Sequence, residues 1–156
     1  MTPREIEAVV RGLYQSFNLK DLDRFDAVAL SGAALEWPPF HLNVGLREAW
    51  GIWATAFPDA QVELQSLSVT ERGAVAEIVG RGTHTGPLRL PTGDVRPTHR
   101  AVTLRLVDTF EMDEAEEKIA RGQSDFDVGA LFAQLGLPPP HPHRSEAPQG
   151  EFHWGY

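Results

Sequence analysis

The sequence predicts an α+β domain in which helices pack on one face of an antiparallel sheet. Apolar residues recur at helical spacing up to Phe57, and from Ala60 onward they recur at every second position, as in strands. Helices followed by a series of long strands favour this class over an alternating, parallel α/β fold. No glycine-rich phosphate loop follows a predicted strand, so a nucleotide site is not indicated.

Three helices are predicted before the strands. The first covers residues 6–17, preceded by Thr2 and Pro3, which suit a helix cap and a first helical turn. A short second helix over 22–29 follows an interruption of the apolar pattern, and a third runs over 46–57 until Pro58 ends it.

The second half of the chain predicts a meander of strands and a final short helix. Residues 71–73 form a predicted hairpin turn, and an acidic turn is predicted at 112–117. The last helix ends at Gly136, because glycine tolerates a left-handed cap best. The predicted strands are 62–69, 74–84, 95–111 and 118–127, followed by the helix 128–135.

Composition narrows the class of protein. The 156 residues are 42% hydrophobic and 23% charged, which is typical of a globular domain. A net charge of −8 disfavours nucleic acid or an anionic membrane as partner. The absence of cysteine excludes disulfides and thiolate metal sites, and no apolar run approaches the roughly 20 residues of a membrane span. We therefore expect a cytoplasmic protein with no nucleic-acid or membrane partner.

The chain divides into one predicted domain, residues 1–137, and a proline- and histidine-rich tail, residues 138–156. The tail holds five of the 12 prolines and three of the six histidines. His141 and His143 lack a nearby third ligand, so the prediction is that no metal is bound.

The strand over 74–84 carries glycines and a histidine on one face. Gly80, Gly82 and His84 alternate there, and glycines in a strand indicate the close approach of a backbone, a bend or a ligand. This pattern fits two interpretations: a curved sheet with a structural histidine, or a pocket with an imidazole on its wall. A strongly bent sheet wrapped around the N-terminal helices would form a cone with an internal cavity.

The last strand carries its polar residues on one face. These could face solvent, as charged residues usually do. The alternate positions 120, 122 and 124 are small and would make a poor core face, so the polar face could instead turn inward, where the two carboxylates would have coupled, perturbed protonation. The catalytic hypothesis depends on this second orientation. The polar residues are Arg121, Gln123, Asp125 and Asp127.

Aromatic residues are concentrated in the first 57 residues, and we expect most of them to form core, with some facing a planar ligand. His99, in the predicted strand 95–111, is also a candidate contact. The aromatic candidates for the pocket are Tyr14, Trp37, Phe40, Trp50 and Trp53.

Four segments carry a family resemblance: FNLKDLDRF, WPPFHLNVGLREAWGIWATAFPD, GTHTGPLRLPTG and DFDVGALFAQLGL. Together they are similar to SnoaL-like polyketide cyclases of the nuclear transport factor 2-like superfamily, over residues 6–137. The resemblance implies a cone-shaped curved antiparallel sheet wrapped around the N-terminal helices, and homodimers or higher oligomers formed through the sheet. It also implies cofactor-free intramolecular aldol cyclisation of an aromatic polyketide ester.

The resemblance also implies roles for particular residues. The family's catalytic acid/base, seven residues before Gln134, corresponds to Asp127, and the GTHTG histidine corresponds to His84. Asp125 replaces an aromatic residue common in relatives, and the turn in EMDEAEEKI is not the usual compact one.

The resulting hypothesis is an enzyme acting on a small hydrophobic or aromatic ketone or ester. Asp127 would remove a proton from carbon, His84 would polarise a carbonyl, and Asp125 and Gln123 would orient the groups. A ketone isomerase fits these residues as well. An epoxide hydrolase fits poorly, because Arg105 and Asp108 are three apart and would lie on opposite strand faces. A non-catalytic binding or assembly module is the alternative that predicts acidic residues in ion pairs or facing solvent.

Overall fold

The structure, a computed structural model, describes residues 1–138, so the predicted tail lies outside the described residues apart from Pro138. None of the helices in this range is long and apolar enough to cross a membrane. A short 3-10 turn, Pro38–Phe40, follows the first strand. In chain order the other elements are α1 Pro3–Leu19, α2 Leu22–Val28, β1 Ala29–Trp37, β2 Leu42–Gly45, α3 Leu46–Ala56, β3 Gln61–Val69, β4 Gly73–Thr83, β5 Leu88–Leu90, β6 Gly93–Val95, β7 Ala101–Asp113, β8 Lys118–Phe126 and α4 Val128–Leu135.

The fold is the predicted α+β class, with a curved antiparallel sheet and helices against one face. Six strands form the main sheet in the order β2-β1-β8-β7-β4-β3, and β5 and β6 form a separate hairpin. All neighbours in the main sheet are antiparallel except β1 and β8, which are parallel. Register shifts interrupt the ladders β1–β8, β3–β4 and β7–β8, and such irregularities bend a sheet.

Helix α1 forms where the sequence predicts it and buries its apolar face against the sheet. Thr2 and Glu5 make a reciprocal capping box: the Glu5 N–H donates to Thr2 Oγ1 at 3.2 Å, and the Thr2 N–H donates to Glu5 Oε1 at 2.7 Å. At the other end, Asn18 Nδ2 donates to the Val62 carbonyl, and Asn18 Oδ1 accepts from the Val62 N–H. These bonds fasten the end of α1 to the edge strand β3.

Helix α4 packs against β7. Its N-cap is Asp127 and it ends at Gly136, whose φ of 75° is the left-handed conformation predicted for that glycine. Gln134 fastens the helix to the start of β7, because Nε2 donates to the Thr103 carbonyl and Oε1 accepts from the Thr103 N–H, both at 2.8 Å.

Two strand predictions differ from the structure. β1 and β2 are absent from the prediction, because the first half of β1 reads Ala-Leu-Ser-Gly-Ala and lacks the apolar alternation of a half-buried strand. Of the predicted strand 95–111, residues 101–111 belong to β7, Val95 is the last residue of β6, and residues 96–100 are not strand; β5 was not predicted either. Pro97 cannot donate to a ladder, and His99 has a φ of 62°, so the chain turns between β6 and β7.

Candidate active site

The inner face of the sheet and the helices line a cavity of about 140 Å³. This is close to the roughly 150 Å³ of an engineered protein cavity that binds benzene, so it can hold one small ring. Its wall is almost wholly apolar and rich in aromatic side chains. The aromatic residues on the wall are Tyr14, Phe17, Phe25, Trp50, Trp53, Phe57 and Phe110.

Three polar side chains meet on this wall: Tyr14 from α1, Asp108 from β7 and Ser124 from β8. Asp108 is 8% exposed, and the Tyr14 hydroxyl donates to its Oδ2 at 2.7 Å. Ser124 is directly opposite Asp108 in the β7–β8 register. These side chains form the polar corner of the cavity, which we define as Tyr14, Asp108 and Ser124.

Burial governs the protonation of the polar corner. It raises the pKa of Asp108, and the Ser124 and Tyr14 hydroxyls lower it in part. The pKa of Tyr14 lies well above its ordinary value, because the phenol is buried and the carboxyl of Asp108 disfavours a second negative charge beside it. Burial thus shifts the pKa of the Asp108 carboxyl towards neutral pH. A group whose pKa lies near the working pH can act as both proton acceptor and proton donor.

One oxygen of this carboxyl is left without a partner. Asp108 Oδ1 is buried and makes no hydrogen bond to the described residues. The Ser124 hydroxyl is near enough to influence the pKa of Asp108 but makes no hydrogen bond of good geometry to Oδ1. A buried polar atom without a partner is costly, so this oxygen calls for an explanation.

The prediction that the polar face of β8 turns inward is wrong. Arg121, Gln123 and Asp125 are exposed, whereas Gly122 and Ser124 are buried. A Cβ on Gly122 would lie 3.0 Å from the Phe110 ring, so the small residues leave room for side chains of β7. On the outer face, Arg121 pairs with Glu111 at 3.1 Å.

Asp127 is exposed and lies at the start of α4, off the cavity wall. Its Oδ1 accepts from the Ala130 N–H at 3.0 Å, which is the geometry of a helix N-cap. The structure therefore does not bring Asp127 together with the cavity or with Asp125, which points outward from the strand.

His84 is fully buried, but it lies behind the wall. Its Nδ1 accepts from the Thr98 N–H at 3.1 Å, so the neutral ring carries its proton on Nε2, which has no hydrogen-bond partner among residues 1–138. Burial lowers the pKa of His84, and nearby His99 lowers it further. The ring lies against Phe57 with centroids 5.3 Å apart, and Phe57 lines the cavity. His99 itself is exposed and off the wall.

The aromatic candidates separate into two groups. Tyr14, Trp50 and Trp53 lie on the cavity wall, and Trp50 Nε1 donates to the buried Ser16 Oγ at 3.2 Å. Trp37 and Phe40 are buried behind them, with the Trp37 ring 5.5 Å from that of Trp53. These two support the wall and do not form it.

Both alternating glycines of β4 line the cavity, for different reasons. A Cβ on Gly82 would lie 3.0 Å from Ala60 and 3.1 Å from Phe57, so that glycine admits the α3–β3 loop. A Cβ on Gly80 would meet nothing nearer than Leu106 at 3.9 Å and would project into open space. Gly80 therefore enlarges the cavity.

Asp108 is the site residue that the sequence analysis did not identify. The sequence pattern that could have identified it is an acidic residue on an apolar strand face. Leu106 and Phe110 lie two positions before and after Asp108, so all three side chains share one face. Within the described part of the chain no three His, Asp or Glu side chains cluster as a metal site, and His141 and His143 lie outside it.

Comparison with known proteins identifies the family. The family model of SnoaL-like polyketide cyclases matches residues 7–135, most of the chain. The chain belongs to the SnoaL-like polyketide cyclase family. No curated protein sequence matches this SnoaL-like chain.

Solved structures share the fold of this SnoaL-like chain at low sequence identity. AclR from Streptomyces galilaeus, described as a candidate hydroxylase, is 21% identical, with a TM-score of 0.71 over 88% of this chain and 100% of its own. TsrD from Streptomyces laurentii is 22% identical, with a TM-score of 0.71 over 87% and 98%. IdmH from Streptomyces antibioticus, described as a candidate polyketide cyclase, is 21% identical, with a TM-score of 0.67 over 85% and 99%.

Proposed function

We propose that this SnoaL-like protein is an acid/base enzyme that enolises a neutral carbonyl compound and promotes its intramolecular aldol cyclisation, with Asp108 as the proton-transfer group. The observation that carries the proposal is the buried Tyr14–Asp108 hydrogen bond beside an otherwise apolar cavity, together with Asp108 Oδ1, which is buried and has no partner among the described residues. Family membership supports the reaction class, and the geometry supports the choice of residue.

In this mechanism Asp108 acts first as base and then as acid. Oδ1 of the carboxylate accepts a proton from a carbon next to a carbonyl, and the electron pair of the broken C–H bond forms the enolate. The enolate carbon then attacks a second carbonyl of the same molecule, and the resulting alkoxide takes the proton back from Asp108. The raised pKa of Asp108 makes its carboxylate a stronger base than an exposed aspartate.

The other two residues of the polar corner assist this transfer. Tyr14 is the donor to Oδ2, which leaves Oδ1 as the reacting oxygen. Ser124, opposite Asp108, supplies a hydroxyl that can donate to the enolate oxygen. The aromatic wall excludes water and holds the flexible substrate in a reactive conformation, an effect that can contribute several kcal/mol.

Asp127 and His84 take positioning roles in this proposal. Asp127 caps α4, whose Leu131 lines the cavity, and His84 supports Phe57 from behind. Both residues therefore influence the cavity through its walls and without contact with the substrate.

The proposal is tested by the exchange of carbon-bound protons, which needs no knowledge of the natural substrate. Incorporation of deuterium from D₂O into a small aryl ketone such as acetophenone is followed by NMR. The wild type should accelerate this exchange, and Asp108→Asn should lose about 100-fold or more of the acceleration. Asp127→Asn is the matched control and should stay within about threefold, because asparagine caps a helix about as well as aspartate and only the charge is lost. Full activity of Asp108→Asn, or loss confined to Asp127→Asn, would overturn the assignment.

The same assay separates the alternatives. A ketone isomerase shares the enolisation step, whereas a non-catalytic module would give no acceleration in any variant. The epoxide hydrolase alternative has little support, because Arg105 is exposed and on the opposite strand face from buried Asp108.

A cytoplasmic location and a homodimer or higher oligomer formed through the sheet also remain proposals. The oligomer is supported by the outer face of β7, where the apolar side chain of Val107 is 43% exposed. Sedimentation of the wild type against Val107→Glu would test it.

A further inference from the structure

The polar corner contains a buried carboxyl with no cationic partner. The groups that influence the pKa of Asp108 are its own burial and the Ser124 and Tyr14 hydroxyls, and no cation is among them. Among the described residues of the wall, Arg81 is the one basic residue, and it is exposed, at the outward position between Gly80 and Gly82. Buried carboxylates are normally paired with a cation, because an unpaired buried charge is costly. The ionised form of Asp108 has no such partner among these groups.

We propose that the cavity is a binding site for a small organic ammonium ion, with an N–H of the ligand donating to Asp108 Oδ1. This goes beyond the proposed function, because it concerns binding and requires no reaction. A protonated amine brings the charge that Asp108 lacks and would supply a donor to Oδ1, a buried oxygen that has no hydrogen-bond partner among residues 1–138.

The rest of the wall suits such a ligand. Seven aromatic side chains surround the cavity, and aromatic rings attract organic cations as well as apolar groups. The volume of about 140 Å³ limits the ligand to one ring or a few carbon atoms beside the nitrogen. The net charge of −8 favours the approach of cations over anions.

The test compares two ligands of equal shape and different charge. Benzylamine, protonated at neutral pH, and benzyl alcohol are titrated into the full chain by calorimetry at fixed ionic strength. We expect the wild type to bind the ammonium about tenfold more tightly, since a hydrogen bond to a charged partner is the stronger kind. Equal affinity, tighter binding of the alcohol, or no binding of benzylamine at millimolar concentration would overturn the proposal.

Two variants localise the effect. Asp108→Asn should abolish the preference for the ammonium while benzyl alcohol still binds. Asp125→Asn removes the same charge from the exposed face of the neighbouring strand and should leave the preference unchanged. A similar loss in both variants would assign the preference to the overall charge and contradict the site.

A measurement on the wild type covers the case in which Asp108→Asn does not fold. At a pH low enough for Asp108 to be protonated in the free protein, its carboxyl ¹³C resonance should move to its ionised position when benzylamine is added, and should not move with benzyl alcohol. An unchanged resonance at saturation would overturn the proposal. The outcome is separate from the exchange assay, because a protein inactive in exchange could still bind the ammonium, and an active one could fail to discriminate charge.

Discussion

Asp108 and Ser124 are directly opposite each other across the β7–β8 pair, and both face the interior. Side chains alternate between the two faces of a sheet, so the neighbours of Ser124 in the chain face outward. Asp125 is therefore exposed, although it is adjacent in sequence to a residue of the cavity wall. The acid of the cavity comes from the neighbouring strand.

Removing the cap of α4 should affect stability more than proton transfer. Asp127→Ala loses the bond from the Ala130 N–H, and loss of an N-cap costs about 1 kcal/mol. Urea denaturation measures this difference. Asp125→Ala, at an exposed strand position, is the control and should change the free energy of unfolding by less than about 0.5 kcal/mol. Equal effects of the two changes would contradict the capping role.

The protonation of Asp108 should make stability depend on pH. Its folded pKa is raised above the ordinary value of 3.8, so folding favours the protonated form. The stabilisation is fully present below the unfolded pKa and is lost as pH rises through the folded pKa. The free energy of unfolding of the wild type, relative to Asp108→Asn, should therefore decrease as pH rises from below 3.8 through the raised value. Denaturation at a series of pH values tests this, and a constant difference would contradict it.

Filling the cavity from β4 should be tolerated at one glycine and not at the other. Gly80→Ala meets no atom nearer than 3.9 Å and should leave stability unchanged or raise it by up to about 1 kcal/mol, since glycine weakens a strand. Gly82→Ala should cost about 1–3 kcal/mol, because the new methyl group presses on Ala60 and Phe57. Thermal denaturation distinguishes the two. Gly80→Ala should also weaken binding of benzyl alcohol, and unaltered binding would show that the ligand lies elsewhere.

Gln134 should control how firmly α4 is attached. Gln134→Ala removes both bonds to the backbone of Thr103, at a cost of about 1–2 kcal/mol. The amide of Thr103 should then exchange with D₂O faster than in the wild type, as measured by NMR. Gln123→Ala, at an exposed position of β8, is the control and should leave this exchange unchanged. Unaltered protection of Thr103 in Gln134→Ala would mean that α4 is held by its apolar contacts alone.

Periodicity in the sequence was sufficient for the elements with one apolar face. α1, α3, α4, β3 and β4 form where they were predicted, because each turns most of its apolar residues towards the core. β1 contains Ser31 and Gly32 and becomes a strand by pairing with β8, a long-range contact that no local pattern reports.

The cavity was predictable in outline and its acid was not. Gly80, Trp50 and Trp53 indicated a cavity between helices and sheet. The predicted orientation of β8 was wrong. The small residues of β8 looked unsuited to a core face, but they face inward and leave space for the Phe110 ring and for the cavity. Asp108 was identifiable from its apolar strand face, but only the fold shows that Tyr14, 94 residues away, is its partner.

The parallel pairing of β1 with β8 determines when the sheet can be completed. β8 lies between β1 and β7, so the first and last strands of residues 1–138 become neighbours only once residue 126 has left the ribosome. Until then, β2–β1 and β7–β4–β3 are separate pieces with open edges, and joining them requires closure of a long loop. The six-stranded sheet is accordingly completed only after β8 has emerged, and a chain shortened before β8 would leave two unjoined fragments of sheet exposed to aggregation.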